Sequence, residues 1–230
     1  MRKLCRIDFH THIDHRQELA SPLDGVLRIV SVPIAEVELT LPENTLATLE
    51  LHPWNGEDFT EQYSELAADQ RFIGIGEVGL DRLRGAKSLD EQLSIFRKTV
   101  ELAGKLQKPL TIHCVKCFSE LLNLYKLMRW QVPTVIHYYR SNLAQAQQLW
   151  QHTHFVLSLP PAVYTQKTLL QFLRENPSML ERTVLETDDP HHGDIIAHYR
   201  QMADFLAISE ESLQKIMQQN FERIYHAGIF

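Results

Sequence analysis

At 230 residues, with a formal net charge of −6 and no apolar run long enough to span a bilayer, the chain reads as a globular protein and not as a membrane protein or a basic nucleic-acid coat. Three cysteines, an odd number, exclude a disulfide framework and suit a reducing compartment. The N-terminal apolar run is too short for a secretion signal, so a cytoplasmic location is expected.

The stretch 4–14 (LCRIDFHTHID) is an apolar run ending in His10 and His12. Side chains alternate along a strand, so both imidazoles share a face with Asp8 beneath them, and the pair forms a chelate for a divalent ion. Stretches 25–32 (GVLRIVSV) and 45–51 (TLATLEL) predict the second and third strands, the latter closed by His52-Pro53-Trp54. Between them, the Pro- and Glu-rich stretch 33–44 leaves room for a short helix at most. Phe59, Tyr63 and Leu66 share one face of a helix ending near Ala68. The strand 72–76 (FIGIG) then runs into 77–81 (EVGLD). Alternation places Glu77 on the isoleucine face and puts Gly74 and Gly76 where another layer packs closely.

Ser88 with Glu91 predicts a capping box for a helix over 88–107, with Leu93, Phe96, Val100, Ala103 and Leu106 as its buried stripe. Two further strands, 109–113 (PLTIH) and 133–137 (PTVIH), end in His113 and His137, with a helix over 118–130 between them. A helix over 141–151, a strand over 154–159, a helix over 166–175 and a strand over 183–186 lead to Thr187-Asp188-Asp189-Pro190. Helices over 194–206 and 210–225 complete the chain. Eight strands alternating with helices predict a single (β/α)8 TIM-barrel domain over 1–230, shortened around the second and third units. An open doubly wound sheet would need a glycine-rich loop after the first strand, where this chain has His-Thr-His.

In such a barrel the chemistry sits at the C-terminal strand ends, which brings His10, His12, Glu77, His113, His137 and Asp188 to one mouth as metal ligands. Four nitrogen and two oxygen donors suit two divalent ions better than one, with Glu77 as the bridge, and the set serves Zn, Mn, Mg or Co. Glu186, one pleat below Asp188, suits a supporting role behind the ligands. His52, Lys116, Arg140 and His191, with His192 beside it, are the candidates for substrate contact. His152-x-His154 repeats the chelate spacing but precedes a strand, at the opposite end of the barrel, and is expected at the surface. Cys114-x-x-Cys117 lacks the second pair a zinc tetrad needs.

The stretches Asp8-Phe9-His10-Thr11-His12, Leu51-His52-Pro53, Gly76-Glu77-Val78-Gly79-Leu80-Asp81, Ile112-His113, Ile136-His137, Leu185-Glu186-Thr187-Asp188 and Asn220-Phe221 carry a resemblance. In family order along nearly the whole chain, they resemble the TatD family of metal-dependent hydrolases within the amidohydrolase superfamily, whose members include deoxyribonucleases. The resemblance implies the six metal ligands above, catalytic roles for Asp188 and Glu77, and Asp188 as acceptor of the attacking water's proton. It also implies a deoxyribonuclease or phosphodiesterase activity. The departures fall at the mouth. Cys114-Val115-Lys116-Cys117 stands where the family usually has an arginine, and Tyr138-Tyr139-Arg140-Ser141 follows the strand-six histidine, so they bear on the substrate and not on the metal chemistry. The competing readings are a PHP-type phosphoesterase, an amidohydrolase or lactonase acting on a C–O or C–N bond, and a metal-binding barrel without turnover. With −6 overall and only Lys116 and Arg140 at the mouth, the expected substrate is a nucleic-acid end or a small phosphodiester, with no stable binding of long duplex.

Overall fold

The computed structural model describes residues 5–12, 25–189 and 194–226. Eight strands, β1 (Arg6–His12), β2 (Val26–Val32), β3 (Thr45–Leu51), β4 (Phe72–Asp81), β5 (Leu110–Val115), β6 (Thr134–Ile136), β7 (Val156–Leu159) and β8 (Thr183–Leu185), pair in sequence order, every pair parallel. A bridge between Thr11 and Asp188 joins the last unit to the first, so the sheet curls into a nearly closed (β/α)8 barrel. The helices are α1 (Glu61–Ala68), α2 (Leu89–Leu106), α3 (Phe118–Met128), α4 (Leu143–His152), α5 (Lys167–Glu175), α6 (Ile195–Leu206) and α7 (Glu210–Tyr225). No helix among the described residues is long and apolar enough to cross a membrane.

The local signals explain these elements. Ser88 accepts from the Glu91 backbone N–H while the Glu91 carboxylate reaches back to the Ser88 backbone, which satisfies two free donors at the start of α2. Phe96, Val100 and Ala103 of its predicted stripe are buried, and Leu93 and Leu106 pack partly buried against the core. Burying one such Phe is worth roughly 1.5–3 kcal/mol, which is why the stripe and not the propensity holds the helix to the sheet. Between β2 and β3 there is only a short 3-10 turn, Ile34–Glu36, so the unit is shortened where the composition indicated. β6 and β8 stop one residue before His137 and Glu186, and both side chains are carried just past the ladder.

The glycines of β4 are required by the neighbouring strand of the same sheet, not by another layer. A Cβ at Gly76 would lie 2.6 Å from the Thr111 Cβ, and one at Gly79 would lie 2.0 Å from the His113 carbonyl oxygen. Both also have positive φ, 154° and 151°. Gly79→Ala is therefore expected to lower stability by more than about 3 kcal/mol, whereas Gly104→Ala, in α2 with open space around it, is expected to be neutral or slightly stabilising. Denaturant midpoints of the two variants check this, and an unchanged midpoint for Gly79→Ala would refute the steric account.

Candidate metal centre

Glu77, from the middle of β4, is the hub of the C-terminal strand ends. Its Oε1 lies 3.0 Å from His52 Nε2 and 2.7 Å from His137 Nε2, and it contacts His113 Nδ1 closely. Its Oε2 lies 3.2 Å from both His10 Nε2 and His12 Nε2. Asp188 Oδ1 approaches His10 Nε2 and His137 Nδ1 at 3.6 Å and His12 Nε2 at 3.8 Å. These donors fall into two groups that share Glu77, namely His10, Glu77, His137 and Asp188, and His52, Glu77 and His113. His12 adjoins the first.

Asp188 is held there by its backbone. Its N–H donates to the His10 carbonyl, and its carbonyl accepts from the His12 N–H, each at 3.0 Å, with φ at 67°. One position below, Asp8 accepts from the Thr187 N–H at 2.9 Å and its hydroxyl at 2.6 Å, which locks β1 to the strand-eight segment.

The charge balance fits a cation. One carboxylate faces five imidazoles, and it cannot satisfy five ring N–H donors at once. His10 Nε2 is buried without a hydrogen-bond partner although it faces Glu77 and Asp188. Burial and the charge of His137 lower His10 to about 4, so it stays neutral and offers a lone pair. Burial opposes charge on His12 as well, but Glu77, Glu50 and Asp188 outweigh it and raise this imidazole to about 9. His137 is likewise raised well above the ordinary range by Glu77 and Glu186 against its burial. Burial alone would raise Glu77, yet the surrounding imidazoles hold it well below the ordinary carboxylate range. The carboxylates thus favour positive charge on these imidazoles, and a divalent ion on the same donors would take the place of the protons.

A sequence profile described as TatD related DNase matches residues 7–226. The chain belongs to this TatD-related family. Among its relatives are the 3'-5' ssDNA/RNA exonuclease TatD of Klebsiella pneumoniae, 27% identical over 63% of this chain, and the putative deoxyribonuclease tatdn3 of Danio rerio, 28% identical over 63%. The matches span 57% and 54% of those two proteins' own lengths. The uncharacterized metal-dependent hydrolase YcfH of Escherichia coli is 25% identical, over 96% of this chain and 95% of its own. A TatD family hydrolase from Entamoeba histolytica shares the fold with a TM-score of 0.77 at 16% identity, covering 97% of this chain and 99% of that one.

Behind the histidines of this TatD-family barrel stand carboxylates. Glu186 lies 3.6 Å from His137 Nδ1 and accepts from the Tyr138 N–H, and burial raises it to about 7 although His137 pulls the other way. Asp81 Oδ2 meets His113 Nε2 at 3.0 Å and accepts the Trp54 indole N–H at 2.6 Å. Glu50 lies 3.6 Å from His12 Nδ1 and accepts from Ser31 and Asn55, and the Ser31 hydroxyl in turn accepts the Glu77 N–H at 2.7 Å. Such partners fix the tautomer and aim of a ligating imidazole. Glu186 thus lies beside His137, and Glu50 and Asp81, to which the sequence reading gave no role, lie beside His12 and His113. Glu50 had a legible signal: it lies one pleat below His52, as Asp8 lies below His10 and Glu186 below Asp188.

Above the cluster opens a cavity of about 1130 Å³, lined on its rim by Trp54, Arg84, Lys116, Tyr138 and Arg140. Lys116 and Arg140 are therefore at the mouth, and His52, which also lines the cavity, belongs to the donor cluster. His191 and His192 lie outside the described residues. His154, expected at the surface, is half-buried and bonded to the Tyr125 hydroxyl at 3.0 Å and the Val132 carbonyl at 2.9 Å, while His152 is exposed. Cys5, Cys114 and Cys117 are free thiols, and burial raises all three above their ordinary range.

Proposed function

We propose that the chain is a divalent-metal-dependent phosphodiesterase acting on nucleic-acid ends or small phosphodiesters, with water as the attacking group. The observation that carries this reading is the pair of donor groups sharing Glu77 beneath a cavity rimmed by cations. His10, Glu77, His137 and Asp188, with His12 beside them, would hold one ion, and His52, Glu77 and His113 a second. A divalent ion there supplies Lewis acidity toward both the phosphoryl oxygen and the attacking water. Asp188, whose side chain is 28% exposed to the cavity, is placed to accept the water's proton. Glu50, Asp81 and Glu186 keep the imidazoles aimed, and Lys116 and Arg140 attract the anionic substrate. One barrel carries the whole reaction, and the three free cysteines suit a reducing, cytoplasmic setting.

The test is elemental analysis of the purified protein, followed by a screen of phosphodiesters, phosphomonoesters and lactones with several divalent ions. One to two ions per chain, hydrolysis of phosphodiesters and a shallow salt dependence on single strands, about −0.7 in log K per phosphate contact, are expected. Turnover of lactones alone, or internal cleavage of long duplex with a steep salt slope, would overturn the reading.

A further inference from the structure

The rim of the mouth holds a cation that the catalytic reading does not use. Arg84 lies with its guanidinium carbon 3.6 Å from the centroid of the Trp54 ring, a face-on contact well inside the roughly 6 Å at which cation–π attraction is counted. Both partners are tied to the metal centre through one carboxylate. The Trp54 indole donates to Asp81 Oδ2 at 2.6 Å, the Arg84 backbone N–H donates to Asp81 Oδ1 at 2.9 Å, and Asp81 Oδ2 meets His113 Nε2 at 3.0 Å. The Trp54 backbone N–H also donates to His52 Nδ1 at 3.1 Å, and its ring meets those of His52 and His113 edge-on at 4.7 and 5.5 Å. The exposed arginine therefore stands at a set place beside the donor cluster, on a platform that does not swing freely.

Stacking occupies the face of a guanidinium and leaves the N–H donors around its edge free for a planar, two-pronged anion contact. Among the described residues no carboxylate pairs with Arg84, although the chain is acidic and the nearby cations Arg82 and Lys87 pair with Glu120 and Asp58. Arg140, which lines the same cavity, lies 5.4 Å from the Tyr138 ring centroid. Ring-mounted guanidinium groups at the rim of one cavity, with no carboxylate paired to them among the described residues, make a site for an anion outside the metal donors.

We propose that Arg84, mounted on Trp54, binds the phosphate neighbouring the one under hydrolysis, so that the site prefers substrates carrying two phosphates in series over simple diesters. This rests on the phosphodiesterase reading above. Trp54 is the positioning residue and Arg84 the contact.

Two measurements separate the two ideas. The first compares kcat/KM on a dithymidylate bearing a terminal phosphate with that on bis(p-nitrophenyl) phosphate, at saturating metal. In Arg84→Gln the ratio is expected to fall about tenfold with metal content unchanged, the effect of losing one charge-assisted contact, and Trp54→Leu is expected to shift the ratio the same way. The second is equilibrium binding of the same dithymidylate to metal-loaded Asp188→Asn protein with and without Arg84→Gln. About tenfold weaker binding and a salt slope shallower by about 0.7 are expected. Equal loss on both substrates, unchanged binding, or no binding by either protein would overturn the role of Arg84. If the protein hydrolyses neither substrate, the phosphodiesterase reading fails and the binding measurement alone decides on Arg84.

Discussion

Glu77→Gln is expected to leave the protein folded and nearly free of metal, with kcat lowered by more than about a hundredfold. The substitution keeps the shape of the side chain and removes the one negative charge that five imidazole nitrogens approach. An amide offers one oxygen in place of two and adds N–H donors, so it cannot serve the two donor groups from one residue. The supporting carboxylates provide the scale. Glu50→Gln and Asp81→Asn, which leave every donor in place but loosen His12 and His113, are expected to cost only about 10–100-fold in metal affinity. Elemental analysis after dialysis against metal-free buffer, with kcat measured on re-addition, checks the series. A Glu77→Gln protein that retains metal at the parental stoichiometry would remove Glu77 from the centre.

Asp188→Asn is the second large effect, and it should fall on kcat and not on KM. The carboxylate sits at the lip of the cluster, 3.6 Å from His10 Nε2 and His137 Nδ1, with its backbone at φ 67°. Asparagine tolerates that backbone conformation as aspartate does, so the two hydrogen bonds to β1 survive and the change removes the charge of a metal donor together with the basicity of the proton acceptor. General-base catalysis contributes about 10²–10⁴-fold, and a loss of that order in kcat with KM within a few-fold is expected at saturating metal. If kcat stays within about twofold of the parent, the proton goes to another group.

Much of this architecture was legible along the chain. The alternation in 72–76, the capping box at Ser88 and the apolar stripe of α2 are local signals, read by periods of two and 3.6 that hold wherever one face of an element is buried. The strand-end positions of His10, His12, His113, His137 and Asp188 follow from the same alternation once the barrel topology is granted. His52 was legible as a mouth residue but not as a neighbour of Glu77, because its place depends on how β3 and β4 are staggered.

That stagger is where the local rules stop. The β3–β4 register shifts between Leu49 and Leu51, and the β4–β5 register shifts between Ile75 and Val78, so strict alternation does not carry through the segment that holds Glu77. The glycines beside it are required by the β5 backbone, a neighbour 34 or 35 positions away in the chain. The chain by itself determined the elements, their order and the donor types at their ends, because these depend on side-chain period and composition over a few residues. Only the tertiary structure decided which donors share Glu77, that burial lowers His10 while the neighbouring carboxylates raise His12 and His137, and that Asp81 ties Trp54 and Arg84 to His113. Those depend on distances between strand ends and on burial, which are set by the closing and stagger of the barrel and by no single segment.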